Sequence, residues 1–240
     1  MNNIEYFKIK LKEASIELTE EQIVQFMMFY EMLVKKNKVM NLTAITGFEE
    51  VVEKHFIDSL MLVKAIDLQQ EYYSILDLGT GAGFPGIPLK IAFPNLEMVL
   101  LDSLNKRVKF LVEVTEKLGL HNINAIHGRA EDIARKEEYR EKFDYCVSRA
   151  VANLSTLSEY CIPFVKMGGS FISYKSGKLE EELENANNPI KLLGGKIENV
   201  VQFSLPGTEV SRSLIVVKKK KETSKKYPRN AGKPSKEPLK

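Results

Sequence analysis

Cysteine is nearly absent: Cys146 and Cys161, 15 positions apart, are the only two in 240 residues. That leaves neither a disulfide framework nor a CxxC metal clip, and both read as buried thiols. Histidine is also scarce. His55, His121 and His127 lack HxxxH or HxH spacing and have no cysteine beside them, so a metal site is not expected. They read as surface or satisfied core histidines. No apolar run approaches the roughly 20 residues that a membrane span needs. Residues 1–7 lack the basic stretch and apolar core of a secretory signal. The expectation is a cytoplasmic protein that makes no use of a membrane.

What is present fits a globular chain: 44% hydrophobic and 28% charged residues, enough length for one large domain with an appendage. The net charge of +3 hides an asymmetry. Residues 218–240 hold ten Lys or Arg against Glu222 and Glu237, so this segment carries +8 and residues 1–217 carry −5. A basic segment of this kind usually meets a polyanion such as nucleic acid through phosphate charge. With Pro228, Pro234 and Pro238 among its lysines, it is expected to be disordered unless RNA orders it.

The periodicity divides the chain into a helical segment (1–70), an α/β domain (71–218) and the basic tail (219–240). In the first part, Thr19-Glu20-Glu21-Gln22 is a capping-box start. Ile23, Phe26, Met27, Tyr30, Leu33 and Val34 follow it at helical spacing. A loop is expected over 37–46, then a helix over 48–66. From Tyr73 onward, short apolar runs alternate with helical periods, as in βαβ units. The expected strands are 74–78, 98–101, 124–126, 145–148 and 170–174, with a helix over 105–118 ending at Gly119. After a helix over 179–193 come two more runs, 196–203 and 212–217. No helix separates them, so they pair antiparallel.

Between the first strand and its helix lies Asp77-Leu78-Gly79-Thr80-Gly81-Ala82-Gly83-Phe84-Pro85-Gly86. Such a loop lets backbone N–H groups approach a ligand with no Cβ in the way. Gly81, Gly83 and Gly86 also satisfy GxGxxG, and Asp102 ends the second strand where a dinucleotide fold places its ribose acid. The motif alone leaves both readings open. Three features favour S-adenosylmethionine: the earlier Gly79 with acidic Asp77 two residues before it, Phe84-Pro85 where a phosphate cradle would sit, and no second domain for a hydride acceptor. A sulfonium and an ammonium both have a use for carboxylates. Asp102 is expected to accept ribose hydroxyls, or to cap the helix beginning near Leu104 in competition with Ser103.

Longer strings carry a closer resemblance. Asn41 to Ile45, His55 to Leu60, Asp77 to Pro88, Asp102-Ser103 with Lys106-Arg107, Gly128 to Glu131 and Ser148-Arg149-Ala150-Val151-Ala152 occur in order and spacing. Together they resemble the small-subunit ribosomal RNA guanine-N7 methyltransferases, the glucose-inhibited division protein B family. The likeness covers about residues 20–218, and 227–232 is similar to members from low-GC Gram-positive bacteria. It implies a Rossmann-like, seven-stranded, S-adenosylmethionine-dependent methyltransferase fold (α/β) preceded by helices. It further implies 16S ribosomal RNA, free or within the small subunit, as partner, and S-adenosylhomocysteine as product. By the same resemblance Gly79, Thr80, Gly81, Gly83 and Phe84 line the cofactor's methionine and ribose. Asp102, with Ser103 beside it, meets the ribose hydroxyls, and Ala130 and Glu131 hold the adenine edge. Arg149 faces both cofactor and substrate as an orienting group; its bland alternative is a pair with a structural carboxylate. An oxidoreductase using a dinucleotide and a non-catalytic RNA-binding module on the same fold are the competing functions.

Overall fold

The computed structural model describes residues 1–69, 72–149, 152–177 and 179–240. Ala150 and Val151 of the Ser148–Ala152 string lie outside the described residues. The chain opens with α1 (Asn3–Glu13) and α2 (Glu20–Met40). The expected capping box starts α2: the Gln22 N–H donates to Thr19 Oγ1 at 3.2 Å, and the Thr19 N–H donates to Gln22 Oε1 at 2.8 Å. The expected loop begins later than residue 37. The helix continues to Met40 and stops where Asn41 turns left-handed, at φ 49°, a conformation that asparagine tolerates.

The helix expected over 48–66 is broken into four pieces. These are α3 (Phe48–Val51), a π-helical stretch (Val52–Ile57), α4 (Asp58–Leu60) and a 3-10 stretch (Met61–Lys64). Wide π turns recur at functional sites, and this one carries His55. Its inner side is held by aromatic packing, with Phe56 4.9 Å from Phe26 and 5.8 Å from Phe29, ring centroid to ring centroid.

The sheet has seven strands: β1 (Ser74–Leu78), β2 (Glu97–Asp102), β3 (Ile123–His127), β4 (Phe143–Ser148), β5 (Val165–Lys175), β6 (Gly195–Ser204) and β7 (Ser211–Lys219). Their order is β3-β2-β1-β4-β5-β7-β6; the first five are parallel, and β7 is antiparallel to both its neighbours. Strand alternation feeds two cores. Ile75 of β1 faces one with α2, α5 (Gly86–Ala92) and α6 (Asn105–Lys117). Leu76 and Leu78 face the other with α7 (Ala130–Ile133), α8 (Leu154–Cys161) and α9 (Glu180–Leu192). Chain order reverses between β1 and β4, and the crevice beyond the carboxyl ends of those strands is where open α/β sheets bind ligands.

The basic segment departs from expectation, because it packs on the body instead of running free. Lys219, the last residue of β7, is buried and donates to Glu141 Oε1 at 2.9 Å and to the Ile162 carbonyl at 2.9 Å. Arg140 donates to the carbonyls of Thr223 and Tyr227, at 2.7 and 3.0 Å. Tyr227 is buried in the second core. Arg229 meets the fully buried Glu159 at 2.7 Å, and a short helix α10 (Lys233–Lys236) follows. Charge dominates the composition here and hides the few residues that dock. Body groups, Glu141, Glu159 and Arg140 among them, receive the segment, and a burial reading of residues 218–240 alone has no access to them.

Candidate functional site

Gly79 sits at the end of β1, and its N–H donates to the Leu101 carbonyl at 2.9 Å, so the glycine loop leans over the end of β2. Asp77 is two residues earlier. The strand pleat puts it on the Ile75 face, beneath the loop and fully buried, not at the loop's mouth as expected. One carboxylate oxygen accepts from Thr80 Oγ1 at 2.6 Å and from the Gly86 N–H at 2.8 Å. The other has no partner. Burial pushes this carboxyl up to about 7, against the hydrogen bonds from Thr80 and Gly86, which favour its charged form. Asp77 therefore braces the loop from below. Gly83 is required by space as well as by its φ of 101°: a Cβ there would collide with the buried Ile87 side chain.

The first turn of α5 is not a phosphate cradle. Pro85 is its N-cap residue and has no N–H; the Gly86 N–H is held by Asp77, and the Ile87 N–H donates to the Gly83 carbonyl at 2.8 Å. A pyrophosphate would need those donors.

Asp102 is almost buried. Its carboxylate accepts from the Gly81 N–H at 2.9 Å and from the Leu104 N–H at 2.8 Å, with Arg107 Nη1 at 3.4 Å. It thus ties the glycine loop to the turn leaving β2. It does not cap α6, which begins at Asn105 with Leu104 in the N-cap position and no side-chain cap, and Ser103 does not cap it either. Ser103 instead lines a cavity of about 340 Å³ with Gly79, Ala130, Glu131 and Tyr160. Gly79 also lines a larger cavity of about 900 Å³, as do Thr80, Gly81, Phe84 and Arg149. Gly79 lines both hollows, so they lie on either side of the end of β1. The expected loop residues other than Asp77 and Gly83 face them; Asp102 supports the loop from beside.

Arg149, one residue past β4, is held on three sides. Nη1 donates to Asp58 Oδ2 at 2.9 Å and to the Lys54 carbonyl at 3.1 Å, Nη2 lies 3.1 Å from His55 Nδ1, and the guanidinium carbon is 5.1 Å from the Phe84 ring centre. Arg149 lines the larger cavity and also makes the carboxylate pair given as its alternative role. His55 Nδ1 lies 3.1 Å from both Arg149 Nη2 and the Lys54 carbonyl, and its Nε2 lies 2.9 Å from Thr43 Oγ1. Burial and then the Arg149 charge push His55 down to about 3, so the ring is neutral; it stacks on Phe84 at 4.5 Å. Asp58 Oδ1 accepts from Arg212 Nε at 3.0 Å, so one buried carboxylate serves two arginines.

His55, Asp58, Thr43 and Arg212 were missed as site residues by sequence reasoning. The available signal was the string from His55 to Leu60, whose polar members sit at i and i+3 on one helical face. Among the described residues, Lys54, Arg107, Arg149, Lys175 and Arg212 line the large cavity against Asp58 and Glu182, so its lining carries more cations than carboxylates. Among the described residues no group of three or more metal-ligating side chains occurs, and no helix is long and apolar enough to cross a membrane.

A parallel five-strand run closed by an antiparallel β7, with a glycine loop at the reversal point, defines the Rossmann-like methyltransferase class of fold. A SAM dependent methyltransferase from Aquifex aeolicus is similar with a TM-score of 0.53 at 18% identity, over 71% of this chain and 93% of that one. TYW2 from M. jannaschii, solved with AdoMet, gives 0.51 at 15% identity over 67% and 74%. The chain belongs to the GidB family, described as rRNA small subunit methyltransferase G, whose model matches residues 22–215. Relatives carrying the name Ribosomal RNA small subunit methyltransferase G include one from Lachnoclostridium phytofermentans, 56% identical over 95% of this chain and 94% of its own length. Another, from Clostridium perfringens, is 46% identical over 99% and 100%.

Proposed function

We propose that this chain transfers a methyl group from S-adenosylmethionine to N7 of a guanine in 16S ribosomal RNA, in the cytoplasm, acting on the free RNA or on the small subunit. The observation that carries the reading is the pair of hollows on either side of Gly79, a small one and a large one whose lining carries more cations than carboxylates. Adenosine fits the smaller hollow, with Ala130 and Glu131 at the adenine edge and Asp102 and Ser103 toward the ribose. The methionine part lies along Gly79, Thr80, Gly81 and Phe84. Gly83 and Asp77 act on the loop's shape. Against a dinucleotide stands the first turn of α5, whose N–H groups are already committed.

When bound, S-adenosylmethionine supplies an electrophilic methyl on a sulfonium. Guanine N7 has an exposed lone pair and no proton at neutral pH, so no residue needs to act as a general base. The neutral, fully engaged His55 agrees with that. Catalysis is then positioning, worth up to roughly 7–11 kcal/mol in favourable cases. A free cation beside a ring that becomes positive would oppose transfer. Asp58 offsets the Arg149 charge, which leaves Arg149 to orient through its fixed plane.

Transfer of labelled methyl to ribosomal RNA from a strain lacking the protein, with the modified position mapped, tests the reading. Label at a guanine N7 is expected. RNA binding without turnover would favour the non-catalytic module, and calorimetric binding of NAD but not S-adenosylhomocysteine would favour the oxidoreductase.

A further inference from the structure

The wall of the smaller hollow is completed by a residue far along the chain. Gly232 lines it, and the Gly232 N–H donates to Glu131 Oε1 at 2.8 Å. Glu131 is itself nearly buried, 6% exposed. Three residues before Gly232, Arg229 is locked on Glu159, a carboxylate with no exposed surface in α8. The Arg229 backbone N–H reaches Oε1 at 2.7 Å, Nε reaches both oxygens at 2.9 and 3.1 Å, and Nη2 reaches Oε2 at 2.7 Å. Stranding a buried carboxylate is costly, so this pair fixes where the chain crosses α8 and delivers the Gly232 N–H to Glu131.

We infer that Arg229 and Gly232 are positioning residues of the cofactor site: the basic segment forms its outer wall and sets the Glu131 carboxylate for the adenosine. The inference rests on the reading of the smaller hollow as the adenosine site. With one Glu131 oxygen occupied by the backbone, the other is left for a donor on the ligand. The segment's charge thus serves in part to anchor it to the body. Coupling is reciprocal: a ligand that needs the docked wall also holds the wall docked.

Two substitutions at one position separate this role from folding. Gly232 has φ 80°, and a Cβ there meets nothing within 4 Å. Gly232→Asn therefore fits, since asparagine tolerates this conformation and keeps the N–H. Gly232→Pro removes the donor and cannot adopt the angle. Calorimetry with S-adenosylhomocysteine should give at least about tenfold weaker binding for Gly232→Pro than for the wild type, the scale of one hydrogen bond to a charged acceptor, and a smaller loss for Gly232→Asn, which keeps the N–H. The KM for S-adenosylmethionine should rise in Gly232→Pro while kcat and the KM for RNA hold. In the wild type, S-adenosylhomocysteine should slow tryptic cleavage after Lys225 and Lys226, and it should do so less in Gly232→Pro. If the wild type binds S-adenosylhomocysteine and Gly232→Pro binds it equally well with equal protection, the wall has no positioning role and the inference is overturned. If the wild type does not bind it at all, the reading of the site itself fails.

Discussion

The Arg149 guanidinium and the Asp58 carboxylate meet at 2.9 Å across 91 positions of sequence, and they join the helical segment to the end of β4. The same carboxylate holds Arg212 on β7, so one side chain ties three parts of the fold together in the wall of the larger cavity. Asp58→Ala would leave two guanidinium groups facing each other, each with about a fifth of its side chain exposed. The expected loss is on the order of 3 kcal/mol, less than for a fully buried pair because solvent reaches both arginines. Chemical denaturation measures it, and a variant as stable as wild type would deny Asp58 this linking role.

Asp102→Ala should weaken S-adenosylhomocysteine binding by about 1–3 kcal/mol. The Gly81 and Leu104 N–H groups both lose their acceptor, so the loop relaxes even before any ribose contact is counted. Calorimetry on the folded variant decides; unchanged affinity would remove Asp102 from the site.

Gly83→Ala should cost about 1–3 kcal/mol of stability and reduce cofactor affinity. Ile87→Ala alone costs about 2–5 kcal/mol because Ile87 is buried, but in a double-mutant cycle the Gly83→Ala cost measured in that background should shrink without vanishing, since the φ of 101° remains. A Gly83→Ala cost of zero in the Ile87→Ala background would mean that space alone, not backbone conformation, fixes the glycine.

Asp77 and His55 pull the pH dependence of stability in opposite directions. Asp77 is raised from 3.8 to about 7, so its contribution is complete below about pH 4 and is lost as pH rises through 7. His55 is lowered from 6.5 to about 3, so its contribution is present above 6.5 and is lost as pH falls toward 3. Between about pH 4 and 6.5 they offset each other, at up to about 1.4 kcal/mol per pH unit apiece. Asp77→Asn should therefore melt progressively lower than wild type on acidification, and His55→Gln progressively higher. Thermal melts across that range, read as variant minus wild type, would refute the assignment if the two slopes had the same sign.

Replacing Lys106 and Arg107 by Ala should weaken RNA binding and flatten its salt dependence, by roughly 0.7 in log–log slope for each single-strand phosphate left without its cation. Arg107 lines the cationic cavity and Lys106 is exposed beside it. An unchanged slope would move the RNA to another face.

The parallel strands, the antiparallel pair and the glycine loop were legible because each is a local pattern: alternation, a missing helix between two runs, glycines after a strand. Asp77 was misplaced because its direction depends on the strand pleat, which the loop motif does not encode. The grouping of Thr43, His55, Asp58 and Arg212 around Arg149 was invisible. It is made by elements up to 154 residues apart, Asp58 and Arg212 being the extreme, and no local period carries such a contact. The docked basic segment was missed for a related reason: what holds it lies on Glu141, Glu159 and Arg140, outside its own composition.

The Glu159 to Arg229 pair also orders events in time. A chain emerges from synthesis in sequence, so α8 is made 70 positions before the cation that its buried carboxylate requires. In that interval Glu159 lacks its cation, and a carboxylate without a partner favours water over burial, so the layer over it stays open. The smaller hollow becomes complete only when residues 229–232 arrive, so a nascent chain closes it well after the strands around it are made.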